Sequence, residues 1–132
     1  MELDPVRIRA FAQSYTEAWC RHDPAGVAAH YVPGGRISVN GGDPAEAGEV
    51  ARSFISAFPD IELHLDDVVV EDGTVEYHWT FTGTNTGPGG TGKRVRISGF
   101  EEWTFADDGL VASSQGHFDD EEYRRQLEQG AP

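Results

Sequence analysis

The sequence predicts an α+β domain: helices at the front of the chain, a long antiparallel sheet behind them, and a small-molecule pocket where the two meet. Three observations carry that reading. Apolar residues recur at steps of three and four as far as Phe58, the period switches to two from Ile61 onward, and the later segments are joined by short turns.

Three Asp-Pro pairs, at Asp4-Pro5, Asp23-Pro24 and Asp43-Pro44, read as helix starts. Asp is a favoured N-cap, and proline fits the first helical position because the N–H it lacks would have no partner there. After Asp43, Glu46 stands three residues on, where a capping-box acid belongs. The first helix is expected from about Pro5 to Arg21, with Ile8, Phe11, Tyr15 and Trp19 on one face. A short second helix carries Val27 and Tyr31, and a short strand spans about Arg36 to Asn40. The third helix runs from about Pro44 to Phe58, aims Val50, Phe54 and Phe58 inward, and stops at Pro59. Strands are expected near 61–70, 74–82, 93–106 and 110–118, turning at Glu71-Asp72-Gly73, from Gly83 to Gly92, and at Asp107-Asp108-Gly109. An acidic helix from about Asp119 to Gln129 follows. There is no internal repeat and no linker, so residues 1–132 read as one domain.

Alternation within the strands identifies the buried face. Val75, Tyr77, Trp79 and Phe81 alternate with Glu76, His78 and Thr80, and Val95, Ile97, Gly99, Glu101, Trp103 and Phe105 share one face of the next strand. Glu101 is the anomaly, a carboxylate in an apolar row. Burying it ionised is expensive, so either its pKa rises or it borders a cavity with partners.

Composition narrows the function classes. At 132 residues the chain can bury one core and not two. Its 23 acids against 10 bases leave a formal charge of −13, which argues against nucleic acid and anionic membranes, since both recruit Lys and Arg. Cys20 is the only cysteine, so no internal disulfide can form, and its helical place reads as a structural thiol. No stretch approaches the roughly 18 apolar residues of a membrane span. Met-Glu-Leu-Asp-Pro lacks the basic and apolar regions of a secretory signal, which makes the cytoplasm the expected location. Five scattered histidines lack ligand spacing, so no metal site is expected. The run Gly87 to Gly92 opens no helix and is not read as a phosphate cradle.

Phe58-Pro59-Asp60 closes the third helix, Trp79 to Gly87 ends one strand, and Thr91 to Val95 opens the next. Asp108-Gly109-Leu110-Val111, Phe118-Asp119 and Arg125-Gln126-Leu127 follow in order. Together with the order helix-helix-strand-helix-meander, these residues resemble the cone-shaped fold of the nuclear-transport-factor-2 (NTF2)-like and ketosteroid isomerase superfamily. Within it the chain is most similar to the SnoaL-like polyketide cyclases. Such relatives include cyclases, isomerases, epoxide hydrolases and dehydratases, as well as non-catalytic binding modules, so the fold alone does not license a function.

By that resemblance, Tyr15 falls where ketosteroid isomerases carry an oxyanion-hole tyrosine, and Glu101 where they carry a protonated aspartic acid. A phenol and a neutral acid in a dry pocket can both donate to a developing enolate. The plainer alternative is a core tyrosine and a glutamate that reaches the sheet rim. Asn40 occupies the place of the isomerase base, where it could position a substrate but not abstract a proton; it reads equally as an Asn-Gly turn residue. Asp119 falls where SnoaL-like cyclases place their acid/base, and His117 would lie on its side of the strand, so the carboxylate could orient the imidazole. Asp119 reads also as the N-cap of the last helix. Ser113, Ser114, Gln115 and Gly116 depart from the cyclase pattern. Trp19, Phe54, Trp79, Trp103 and Gln115 are the candidate ligand-binding residues, although core packing would explain the tryptophans too.

The expected function is a cyclase or isomerase acting on a small hydrophobic carbonyl compound, polyketide- or steroid-like, by acid/base catalysis without a cofactor. The alternative is a non-catalytic ligand-binding or dimerisation module. Epoxide hydrolysis ranks last, because relatives use Asp and Arg around a water and no arginine stands in the inward rows. The resemblance also implies a homodimer through the outer sheet face, at Arg94, Arg96, Ser98, Phe100 and Glu102.

Overall fold

The computed structural model describes residues 3–132. Helices α1 (Pro5–Cys20) and α2 (Pro24–Ala28) lead into strand β1 (Tyr31–Val39), a two-residue β2 (Ala45–Glu46) and helix α3 (Ala47–Ala57). Strands β3 (Glu62–Glu71), β4 (Thr74–Thr84), β5 (Arg94–Phe105) and β6 (Val111–Phe118) follow, and then helix α4 (Asp120–Gln129). One six-stranded sheet results, in the order β2-β1-β6-β5-β4-β3. Every pairing is antiparallel except that of β1 with β6. The expected α+β class, helices on a curved and mostly antiparallel sheet, is the one found.

Two of the three Asp-Pro pairs start helices. Asp4 and Asp23 accept hydrogen bonds from the backbone N–H of Val6 and Gly26, with proline in the first turn. The third pair does not. Ala45 and Glu46 pair with Ile37 and Arg36, which keeps the chain extended past Pro44, so α3 begins at Ala47 and not at Pro44. Glu46 takes the N-cap position without a side-chain hydrogen bond, and the expected capping box is absent. Pairing with β1 at the sheet edge takes the place of the local cap.

Tyr31 is the second correction. It does not ride on α2, which stops at Ala28, but opens β1. The register of β1 against β6 slips between Tyr31 and Arg36, across Pro33-Gly34-Gly35, and that irregularity hides the first half of the strand from a period-two reading. At its other end β1 stops at Val39, and Asn40 lies in the left-handed region at φ 50°.

The inner face of the sheet packs against α1 and α3. At the level of Glu101 the inward row runs Val39, Gly116, Glu101, Tyr77 and Val68 from β1 to β3. From α1, Ile8, Ala12, Tyr15, Ala18 and Trp19 are buried against it. Cys20 needs no reactive role, since its Sγ donates to the Leu63 carbonyl at 3.1 Å. No helix among the described residues is long and apolar enough to cross a membrane.

Candidate functional site

Four elements converge on Glu101, which is only 7% exposed. From β1, Tyr31 donates its hydroxyl to Oε1 at 3.0 Å. From β6, Ser114 donates to the same oxygen at 2.6 Å, and from β5 the Trp103 indole does so at 3.1 Å. From α1, Tyr15 donates to Oε2 at 3.0 Å and also lies 3.2 Å from the Tyr31 hydroxyl. None of the ion pairs among the described residues involves Glu101. Burial raises its pKa, the four hydrogen bonds oppose the rise, and burial wins. Burial, and next the Glu101 charge, hold both tyrosines far above the ordinary tyrosine pKa, so they remain donors.

In front of this carboxyl lies a cavity of about 70 Å³, lined by Trp19, Phe54, Trp79, Phe81, Phe118 and Tyr123 together with aliphatic residues of β1, α3, β3 and β5. Among the described residues Glu101 is the only carboxyl in its wall. Two glycines make the space. Gly116 lies directly across from Glu101 in β6, and a Cβ there would meet only the Ser38 carbonyl, at 3.7 Å. Gly99, two residues along β5, leaves room for the Trp79 ring, which lies 2.9 Å from where its Cβ would stand. The mouth of the cavity is more polar, with Asn40, Ser53, Asp120 and Arg124 around Val39, Phe54, Phe118 and Tyr123.

The candidate residues are distributed unevenly over this geometry. Glu101, Trp19, Phe54 and Trp79 line the cavity, whereas Tyr15 and Trp103 stand behind Glu101 and do not. Tyr15 and Glu101 are therefore not side-by-side donors; one supports the other. Asn40 sits at the mouth as a turn residue, its Oδ1 accepting from the Phe118 N–H at 2.9 Å. His117 and Asp119 are not brought together. His117 faces the outer side of the sheet, 3.0 Å from Glu102 Oε1, while Asp119 caps α4 by accepting from the Glu122 N–H. The chain leaves the strand after Phe118, so the expected same-side alternation ends before Asp119. Gln115 is exposed on the same outer side as His117.

Two residues of the carboxyl cluster escaped the sequence reading. Tyr31 was hidden by the slip in β1. Ser114 had a usable signal: it shares parity with Gly116, the residue opposite Glu101. Among the described residues no group of three or more His, Cys, Asp or Glu side chains is placed to hold a metal ion.

Comparison with known proteins bears on this geometry. Residues 12–114 match the model of the SnoaL-like domain. The fold is similar to that of TsrD from Streptomyces laurentii, 25% identical over 96% of this chain and 98% of that one, with a TM-score of 0.79. It is also similar to AclR, a proposed hydroxylase from Streptomyces galilaeus, 23% identical over 98% of this chain and 89% of that one, TM-score 0.78. A proposed SnoaL-like polyketide cyclase from Jannaschia sp. CCS1 is 19% identical over 100% of this chain and 99% of that one, TM-score 0.75. A search of curated proteins found no match.

Proposed function

This chain belongs to the SnoaL-like domain family, and on that premise we propose that it is a cofactor-free cyclase or isomerase of a small hydrophobic carbonyl compound, with Glu101 as its proton carrier. One observation carries the reading: a buried carboxyl with a raised pKa borders an otherwise apolar cavity and is held from behind by four donors. An apolar wall suits a hydrophobic substrate. A carboxyl whose pKa lies above the usual range is a better base than an exposed one and, once protonated, a ready acid.

The cluster suits both states of that cycle. Ionised, Glu101 accepts from Tyr15, Tyr31, Trp103 and Ser114. Protonated on Oε2, it can donate to the Tyr15 oxygen, Tyr15 to Tyr31, and Tyr31 back to Oε1, so no hydroxyl is orphaned. In the reaction, the carboxylate takes a proton from the carbon next to the carbonyl, the C–H electron pair forms the enolate double bond, and the carbonyl π pair moves onto its oxygen. The neutral acid then returns the proton to another carbon, or the enolate closes a ring on a second carbonyl carbon, whose π pair moves onto its oxygen and takes the proton from Glu101. Glu101 thus fills the role of base that Asn40 cannot perform.

The test is hydrogen–deuterium exchange at the α-carbons of cyclopentanone in D₂O, followed by NMR. The wild type is expected to exchange above the buffer rate, and Glu101→Gln to lose roughly 10²–10⁴-fold of that excess. No excess exchange by the wild type, or full exchange by E101Q, would overturn it. A second reading, a ligand-binding module without catalysis, is favoured because among the described residues the cavity wall holds no second carboxylate, histidine or cationic side chain. It predicts binding without exchange. The proposal includes a homodimer through the outer sheet face, where Arg94, Arg96 and Ser98 are exposed and Phe100 and Glu102 half-buried. A monomer by light scattering at micromolar concentration would remove that part.

A further inference from the structure

The cavity beside Glu101 is too small to hold a whole ligand. Its volume of about 70 Å³ takes a few heavy atoms, whereas pockets for small molecules commonly measure about 300–1,000 Å³. Val39, Phe54, Phe118 and Tyr123 line both this cavity and its mouth, so the two are continuous, and the mouth adds about 480 Å³. Most of any ligand therefore lies in the mouth, and the groups there decide what that part must be. Three elements bring hydrogen-bond donors to it. Asn40, in the turn after β1, accepts from the Phe118 N–H through Oδ1 at 2.9 Å, and because only an oxygen can accept that bond, Nδ2 is the open end of the amide. The Asn40 backbone N–H donates to the Gly116 carbonyl at 2.8 Å, which anchors the turn. From α3, the Ser53 hydroxyl has no hydrogen-bond partner among the described residues. From α4, Arg124 meets Asp120 through Nε, 3.0 Å from Oδ2, and its guanidinium has no other partner among the described residues. That contact occupies one edge of the guanidinium and leaves its Nη donors to a second acceptor.

Taking the cavity as the site for a carbonyl compound, as proposed above, we infer that the ligand is a keto acid: its carbonyl part enters the apolar cavity, and its carboxylate stays at the mouth on Arg124, with Asn40 and Ser53 as further donors. A guanidinium fork receives a carboxylate through two parallel N–H bonds, a match that a neutral ester does not make. The rest of the chain works against such a ligand, since its formal charge of −13 repels anions. A preference for an acid over its ester therefore has to come from a local cation and not from the surface at large. Arg124 is in this way a specificity residue that acts on binding, while proton transfer stays with Glu101.

The experiment measures dissociation constants of the full chain by titration calorimetry for cyclopentanone bearing a propanoate arm on its α-carbon and for the methyl ester of that acid. The wild type is expected to bind the acid about tenfold more tightly than the ester, and added salt to shrink the preference. Arg124→Gln is expected to bind the two alike. Arg124→Lys, which keeps the charge without the fork, is expected to keep part of the preference. Arg124 is 76% exposed, so neither substitution threatens the fold. The inference is overturned if the wild type binds the acid no more tightly than the ester, if R124Q keeps the whole preference, or if neither compound binds the wild type at millimolar concentration. Exchange of cyclopentanone without any preference for the acid would sink the inference and leave the catalytic reading standing. A preference carried by Arg124 without α-carbon exchange would sustain the inference and sink the catalytic reading instead.

Discussion

Glu101 and Glu102 are neighbours on β5, and the two-residue period of the strand sends them to opposite faces of one sheet. On the inner face Glu101 is buried, has no cationic partner among the described residues, and is held by two phenols, a serine and an indole. On the outer face Glu102 is 45% exposed and meets His117 at 3.0 Å. His117 leans on Phe100, which stacks on its far side with His78, itself paired with Glu76. By residue type, the outer carboxylate–imidazole pairs look more like catalytic machinery than the lone acid inside. Environment reverses that ranking. Water screens the outer pairs and weakens them, whereas burial makes every interaction of Glu101 stronger and raises its pKa.

The comparison can be broken most forcefully by removing each carboxylate. Glu101→Ala strands four buried donors and is expected to destabilise the fold by about 3–5 kcal/mol, while Glu102→Ala changes stability by less than about 1 kcal/mol in urea unfolding. Similar costs for the two would dissolve the contrast. The glycines that shape the inner face come next. Gly99→Ala drives a methyl into the His117 carbonyl and to 2.9 Å from the Trp79 ring, for an expected loss of about 1–3 kcal/mol. Gly116→Ala has room and should leave stability within about 1 kcal/mol while weakening cyclopentanone binding. If G116A binds the ketone as wild type does, the cavity beside Glu101 is not the ligand site.

Asp119→Ala sharpens the comparison from outside the cavity. It should lose about 1 kcal/mol, the worth of an N-cap, with α-carbon exchange unchanged; an exchange rate that collapses at full folding would return Asp119 to the chemistry. The gentlest probe is pH. Between the ordinary glutamate pKa of 4.5 and the raised value in the folded chain, native Glu101 keeps a proton that the unfolded chain has released. Its contribution to stability is therefore present at low pH and lost as pH rises through that window. The wild-type Tm is expected to fall over this range relative to that of E101Q, and parallel curves would show that Glu101 is already ionised in the native fold.

Much of this was legible in one dimension. Alternation along β4 and β5 placed Tyr77, Trp79, Phe81, Glu101 and Trp103 on the inner face, because a strand's side-chain direction depends only on parity. Two Asp-Pro caps were legible for the same reason: an N-cap is satisfied within three residues of itself. The misreadings share the opposite character. Asp43-Pro44 carried a cap signal that pairing with Arg36 and Ile37 overrode, and His117 with Asp119 had suitable spacing until the strand ended between them.

The amino-acid sequence by itself determined that a carboxyl would stand in an apolar row and that aromatic residues would surround it. Only the tertiary structure decided what meets that carboxyl. Tyr31 is 70 residues from Glu101, Tyr15 is 86 and Ser114 is 13, and each reaches it through a crossing helix or a paired strand. The physical reason is the range of the forces involved: side-chain parity is set by each residue's own backbone, whereas a hydrogen bond forms only where the folded chain brings two groups within about 3 Å.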